Sequence, residues 1–156
     1  MRFETFKDVI IYAVQQEAAA LSFYEKAAEM AKDPLIRKIF AGLAAEEMRH
    51  KKQLYQLDQE KVGNMPFPGG EERDIGKSIS FMEFRAKMTA KEILEYAINA
   101  EESAEHLYMV TAKQTSEPEL KKLMLILANE ERRHKEKLLS FRDYPAFADK
   151  LSDQQA

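Results

Sequence analysis

The sequence predicts an all-α protein, a four-helix bundle made of two helical hairpins joined by a long crossover. Three observations carry that expectation. Of 156 residues, 45% are hydrophobic and 33% charged, with only five Gly and five Pro, a balance that suits helices better than sheets. The chain also repeats itself: Leu43 to Leu54 match Leu127 to Leu138 at eight of twelve positions, an offset of 84. The same offset maps Tyr12 onto Tyr96, Glu17 onto Glu101, Tyr24 onto Tyr108 and Pro34 onto Pro118. Finally, apolar residues recur at alternating steps of three and four, the period of a bundle seam.

The elements follow in order. Helix one carries the stripe Phe3, Phe6, Ile10, Ala13, Glu17, Ala20, Tyr24, Ala27, Ala31. Asp33-Pro34 breaks it and opens helix two, with a capping residue just before a Pro suited to the first turn. Helix two continues Ile36, Phe40, Leu43, Glu47, His50, Leu54, Leu57. A loop-like stretch follows with Gly63-Asn64, Pro66 to Gly70 and Gly76, and a short helix is expected near Phe81 to Lys87. Thr89 and Glu92 have capping-box spacing and should open helix three, with Leu94, Ala97, Glu101, Ala104 and Tyr108 on its stripe. Ser116-Glu117-Pro118 should cap helix four, which carries Leu120, Met124, Leu127, Glu131, His134, Leu138 and Phe141. The expected plan is one domain over 1–156: hairpin 3–61, crossover 62–88, hairpin 89–141 and tail 142–156, with Tyr144-Pro145 ending the fourth helix and Phe147 packing back.

Composition removes several function classes. With no Cys, there is no disulfide, no Cys-ligated zinc, no iron–sulfur centre and no thiol catalysis. A net charge of -3 with interleaved signs predicts no nucleic-acid partner. No apolar run nears the ~18 residues of a membrane span, and the first residues lack a signal-peptide pattern. The expectation is a cytoplasmic protein with no membrane partner.

All four stripes are interrupted by ionisable residues, and only near their middles. Glu17 lies about 15 residues before the first hairpin turn and Glu47 about 15 after it, so both sit about 22 Å from that turn. Glu-x-x-His puts Glu47 with His50, and Glu131 with His134, on one helix face. The stripe selects Glu47 and Glu131 over Glu46 and Glu130, which point about 100° away. Four carboxylates at one level of a dry core repel one another and cost several kcal/mol each in desolvation. Raised pKa values are one escape. Two divalent cations are the better one, because four ionised Glu and two neutral His leave four negative charges to cancel. Carboxylates with imidazoles suit iron or manganese, and zinc can bind such a set. Six protein ligands leave open positions on two six-coordinate ions, which favours chemistry over scaffolding.

A Glu from each of two helices with Glu-x-x-His from the other two is the di-metal pattern of ferritin-like bundles. In the doubled pattern Glu-(x6)-Tyr followed by Glu-Glu-x-x-His, over residues 3–141, the chain resembles the rubrerythrin-like branch of the ferritin-like di-iron family. The resemblance implies a left-handed crossover, two iron ions, Glu17 and Glu101 as terminal ligands, Glu47 and Glu131 as bridging ligands, and His50 and His134 each on one iron. It implies an oxidoreductase that reduces peroxide or oxygen, or oxidises ferrous iron. The chain departs from that family twice. It has no Cys-ligated rubredoxin-like module, so an external electron donor is expected. It also has Ala104 where rubrerythrins place a further Glu, with Glu102 and Glu105 near but out of register.

Tyr24 and Tyr108, two turns from Glu17 and Glu101, are candidates to hydrogen-bond the ligands or to relay electrons, and equally to be core aromatics. His106 is off the stripe and should face solvent. Arg49, Lys51, Arg133 and Lys135 should decorate the surface. The rival functions are a ferritin-type iron-binding or storage protein and a helical module with a structural metal site; a homodimer is expected for an enzyme.

Overall fold

The computed structural model describes residues 2–57, 59–69 and 88–143. Among them are α1 (Phe6–Met30), α2 (Pro34–Tyr55), the short α3 (Gln59–Gly63), α4 (Ala90–Gln114) and α5 (Pro118–Arg142). Among the described residues no helix is long and apolar enough to cross a membrane.

Local chemistry sets the helix ends. Thr5 caps α1: its side chain accepts from the Asp8 N–H at 3.3 Å while Asp8 Oδ2 accepts from the Thr5 N–H at 2.9 Å. Helix one therefore starts at Phe6, and Phe3 lies before it. Phe3 is still core, packed against Tyr12 and Phe67 with ring centroids 5.2 and 6.2 Å away. Asp33 Oδ1 accepts from the Leu35 and Ile36 N–H groups at 2.9 and 3.1 Å, with Pro34 in the first turn of α2. Thr89 and Glu92 form the expected capping box of α4, at 3.1 and 3.2 Å. Helix α5 departs from expectation. Its N-cap Glu117 makes no side-chain cap bond; instead Thr115 Oγ1, two residues upstream, accepts from the Glu117 N–H at 3.1 Å. At the end of α2, Leu57 falls beyond the helix and stays partly buried.

The helices pack as two antiparallel hairpins, α1 on α2 and α4 on α5. Between hairpins, Tyr24 meets Glu101 while Tyr108 meets Glu17, so numbers rising along α1 fall along α4. Likewise His50 meets Glu131 and His134 meets Glu47, which makes α2 and α5 antiparallel. The end of α2 and the start of α4 thus lie at opposite ends of the bundle. Phe67 packs on Phe6 at one end, with centroids 5.4 Å apart, and Met88 joins Ala31 and Ile36 in the cluster at the other. The link from Gly69 to Met88 spans that length, about 37 Å for a 25-residue helix, which its residues reach easily at ~3.3 Å each. The crossover's handedness, the short helix expected near Phe81 to Lys87, and the placement of Tyr144, Pro145 and Phe147 fall outside the described residues.

The core is divided in two. One apolar cluster holds Phe23, Tyr24, Ala27, Ile36, Phe40, Leu43, Ile93 and Leu138. The other holds Phe3, Phe6, Ile10, Leu54, Phe67, Tyr108, Leu120 and Leu127. Each large side chain so buried contributes roughly 1.5–3 kcal/mol of transfer free energy. Residues 65–67 strap the second cluster shut: the Phe67 N–H donates to the Glu4 carbonyl at 2.8 Å and the Phe6 N–H to the Met65 carbonyl at 3.1 Å. Between the clusters lies a polar layer.

Candidate metal centre

That layer is made of the six residues read from the interrupted stripes. Glu17, Glu47, His50, Glu101, Glu131 and His134 are each 0–3% exposed. They stand mid-helix, where all four helices pass the same height. Their donor atoms form two overlapping sets: Glu17, Glu47, His50 and Glu131, and Glu47, Glu101, Glu131 and His134, each with ligand atoms within 4.8 Å of one another. Glu47 and Glu131 belong to both sets, the position a bridging carboxylate needs. The set is closed to its neighbours on α4: Glu102 is exposed, and Glu105 turns to Lys135 at 3.1 Å. His106 is exposed, as the stripe predicts.

The two imidazoles present Nδ1 inward. His50 Nδ1 lies 2.8 Å from Glu131 Oε1, 3.2 Å from Glu47 Oε2 and 3.6 Å from Glu17 Oε2. His134 Nδ1 lies 3.0 Å from Glu47, 3.3 Å from Glu131 and 3.5 Å from Glu101. The rings stack at 5.6 Å. Despite those short distances His50 Nδ1, Glu131 Oε1 and Glu47 Oε2 make no hydrogen bond with acceptable angles. These three atoms lie close together in the layer without bonding one another. Buried polar atoms left this way are rare, and a shared cation accounts for all three.

The outward nitrogens are held by residues the stripe set aside. His50 Nε2 lies 2.6 Å from Glu130 Oε2, and His134 Nε2 bonds Glu46. Glu130 is steadied in turn by Arg49 at 3.1 Å. A carboxylate on the far N–H fixes the imidazole's tautomer and raises the basicity of the inner nitrogen, as around metal-bound histidines generally. The signal was in the sequence: in both halves the Glu of Glu-x-x-His is preceded by a second Glu, Glu46 before Glu47 and Glu130 before Glu131. Arg49 is exposed as expected, although it is not idle. The tyrosines also touch the layer. Tyr24 donates its hydroxyl to Glu101 at 2.5 Å and Tyr108 donates to Glu17, both from full burial.

Charge in the layer is arranged in opposed pairs. Burial pushes the Glu47 and Glu131 carboxyls well above their usual range, reinforced by the neighbouring carboxylates. Burial acts the same way on Glu17 and Glu101. There it is outweighed by Glu47 and His50 beside Glu17 and by Glu131 and His134 beside Glu101, so both are held low. For His50 and His134 burial favours the neutral ring, yet the surrounding glutamates outweigh it and raise both. Burial and adjacent carboxylates keep Tyr24 and Tyr108 neutral, as donors. The shifts therefore oppose one another: Glu17 and Glu101 are pushed toward the carboxylate, and Glu47, Glu131, His50 and His134 toward the protonated form.

A helical bundle with two Glu/His sets sharing two carboxylates defines the class of bundles that fit a binuclear metal site. Within that class the chain belongs to the rubrerythrin family, whose profile matches residues 8–87 and 92–151. Two solved structures share the fold. One, assigned as a ferritin-like diiron-carboxylate protein from Thermotoga maritima, is 22% identical with a TM-score of 0.68, over 92% of this chain and 98% of that one. The other, a hypothetical protein from Pyrococcus furiosus, is 24% identical with a TM-score of 0.65, over 96% and 92%. No curated protein matches the chain.

Proposed function

We propose that the chain is a di-iron oxidoreductase that reduces peroxide or oxygen, or oxidises ferrous iron. Glu17, Glu47, His50, Glu101, Glu131 and His134 serve as its ligands. The observation that carries this reading is the sharing of Glu47 and Glu131 between two buried four-residue sets, with both imidazoles aimed inward. Oxygen and imidazole donors without thiolate suit iron or manganese. A pair of iron ions held by these six residues would supply the two electrons with which hydrogen peroxide and two protons become two waters.

The chain's own residues do the rest. Glu47 and Glu131 join the two sites, and Glu17 and Glu101 close each from the side of α1 and α4. Tyr108 and Tyr24 hold those carboxylates in place from the two apolar clusters. Glu130 and Glu46 keep the imidazole Nε2 protons where they are, leaving Nδ1 as the ligand atom. The apolar clusters above and below exclude bulk water. Reducing equivalents would reach the centre from an electron donor outside this bundle.

Metal analysis of protein purified without added metal, paired with a Glu47→Ala, Glu131→Ala double variant, tests the site. Two iron equivalents per chain that vanish in the variant support it. Stopped-flow mixing of ferrous-loaded protein with hydrogen peroxide tests the reaction. Oxidation within seconds supports the enzyme, and its absence makes the site structural.

A further inference from the structure

The internal repeat supplies a control for the outer faces of the two hairpins. At the offset of 84, Ile11, Ala18 and Leu21 on α1 match Glu95, Glu102 and Glu105 on α4, and Met48 on α2 matches Arg132 on α5. Four apolar positions of the first hairpin are therefore charged in the second, although the two share one helix pairing and equivalent ligands. The second hairpin covers its outer face with its own side chains: Glu105 lies 3.8 Å from Arg132 and 3.1 Å from Lys135. The first leaves its face open. Ile11 is 45% exposed, Ala41 and Ala45 are exposed, and Leu21 and Met48 are half-buried. Between α1 and α2 runs a groove of about 450 Å³, lined by Leu21, Ala28, Ala41, Ala44, Ala45 and Met48.

Charge on the two edges of this groove says what covers it. Glu25 and Glu29 line its α1 edge. On α2, Lys38, Ala41, Ala45 and Lys52 follow at steps of three, four and seven, so they share one side of that helix. None of Glu25, Glu29, Lys38 and Lys52 makes an ion pair among the described residues. A groove with acids along one edge and bases along the other is its own electrostatic complement. Turned about a twofold axis parallel to the bundle, a second copy lays its α2 on α1 and its α1 on α2, and every residue keeps its height. Glu25 stands eight residues beyond Glu17 and Lys38 nine before Glu47, so the rotation brings each against the other. The face is also large enough. Helices of 25 and 22 residues side by side present about 35 Å by about 20 Å, or ~700 Å², close to the ~800 Å² each partner buries in a stable complex.

We propose that two copies of this chain join as a twofold dimer through the outer α1–α2 face, while the α4–α5 face stays in solvent. The proposal goes beyond the oxidoreductase reading and does not depend on it. Leu21, Met48 and the alanines form the apolar centre of the interface, and Glu25, Glu29, Lys38 and Lys52 form its polar rim. The alanines leave room for the partner's helices to approach.

Sedimentation of the full chain at about 10 μM tests the dimer, a concentration at which an interface of this size should be filled. The wild type should run as a dimer, and a monomer overturns the proposal. Leu21→Glu with Met48→Arg installs on the first hairpin the pair that the second carries at Glu105 and Arg132. This double variant should be a monomer with unchanged helix content by circular dichroism and unchanged bound metal. An assembly of any size that survives it overturns the face. Exposed residues alone test the rim. Glu25→Lys with Glu29→Lys sets lysines against lysines, and Lys38→Glu with Lys52→Glu sets glutamates against glutamates. Each double variant should raise the dimer dissociation constant more than about 100-fold. Mixed in equal amounts, the two should form a dimer again, because a Lys edge then meets a Glu edge on both sides of the axis. Variants that stay dimeric alone, or a mixture that stays monomeric, overturn the laying of α1 on the partner's α2.

Discussion

Loading the centre with metal should expel protons, and the layer's charge balance gives the number. Without metal, the shifts favour carboxylates at Glu17 and Glu101 and protonated forms of Glu47, Glu131, His50 and His134, a set that would leave a net charge near zero. With two divalent ions, neutrality in the same dry volume requires four carboxylates and two neutral imidazoles. About four protons therefore leave per pair of ions, two per ion, because ligands must be deprotonated to bind. Affinity should then rise about 100-fold per pH unit per ion while all four groups stay protonated in the metal-free protein. The metal-free protein shows the reverse trend. Its raised groups make the folded state bind more protons than the unfolded chain, first through Glu47 and Glu131 above their ordinary value of 4.5, and additionally through the histidines above 6.5. Metal-free stability should therefore fall as pH rises through that window and beyond. The assay is a pH-stat titration of metal-free protein with anaerobic ferrous or manganous salt near pH 7, with denaturation repeated across pH. Release of fewer than about one proton per ion would refute the balance, and so would metal-free stability that climbs between pH 5 and 8.

Other consequences are simpler. Tyr24→Phe and Tyr108→Phe each remove a buried hydroxyl that donates to a carboxylate, so each should cost about 1.5–3 kcal/mol in chemical denaturation, against less than about 0.5 for exposed Tyr55→Phe. Glu130→Gln and Glu46→Gln should weaken metal binding about 10–100-fold in chelator competition while leaving the count at two ions. Glu47→Met with Glu131→Met removes both protonated acids and leaves two carboxylates facing two imidazoliums. Metal-free stability should rise by about 1–4 kcal/mol as bound metal falls to zero, and a less stable double variant would count against the layer being a liability of the apolar core.

The sequence disclosed the seam because charge is conspicuous there. Glu17 and Glu101 each break a run of small and aromatic residues, and the offset of 84 shows the break is not accidental. All six seam residues meet at one level for the same reason: helix rise is constant, so equal distance from a turn becomes equal height. What periodicity does not show is how a side chain one position off the stripe reaches sideways. Glu46 and Glu130 lie off the seam by about 100°, yet each has the length to reach the histidine of the other hairpin. Phe3 continues the stripe yet precedes the helix, which Thr5 caps and Phe6 begins, so burial and helicity part company there. At Glu117 the expected cap failed because the acidic side chain turns to Lys61, at 3.3 Å, while Thr115 takes the backbone N–H.

The layer that weakens the core is also what fixes how the halves meet. Each ligand set takes three residues from one hairpin and one from the other: Glu17, Glu47 and His50 with Glu131, and Glu101, Glu131 and His134 with Glu47. The supporting bonds cross as well, Tyr24 to Glu101, Tyr108 to Glu17, Glu130 to His50 and Glu46 to His134. Apolar surfaces of Ala, Leu and Phe would let two hairpins slide by a turn at little cost, because such contacts lack direction. A slip of one turn, ~5.4 Å, would instead leave four carboxyl groups and two imidazoles buried without partners. Buried polar groups are well attested as devices that set register. Here the same groups that would hold the metals make every other register of the two hairpins prohibitive.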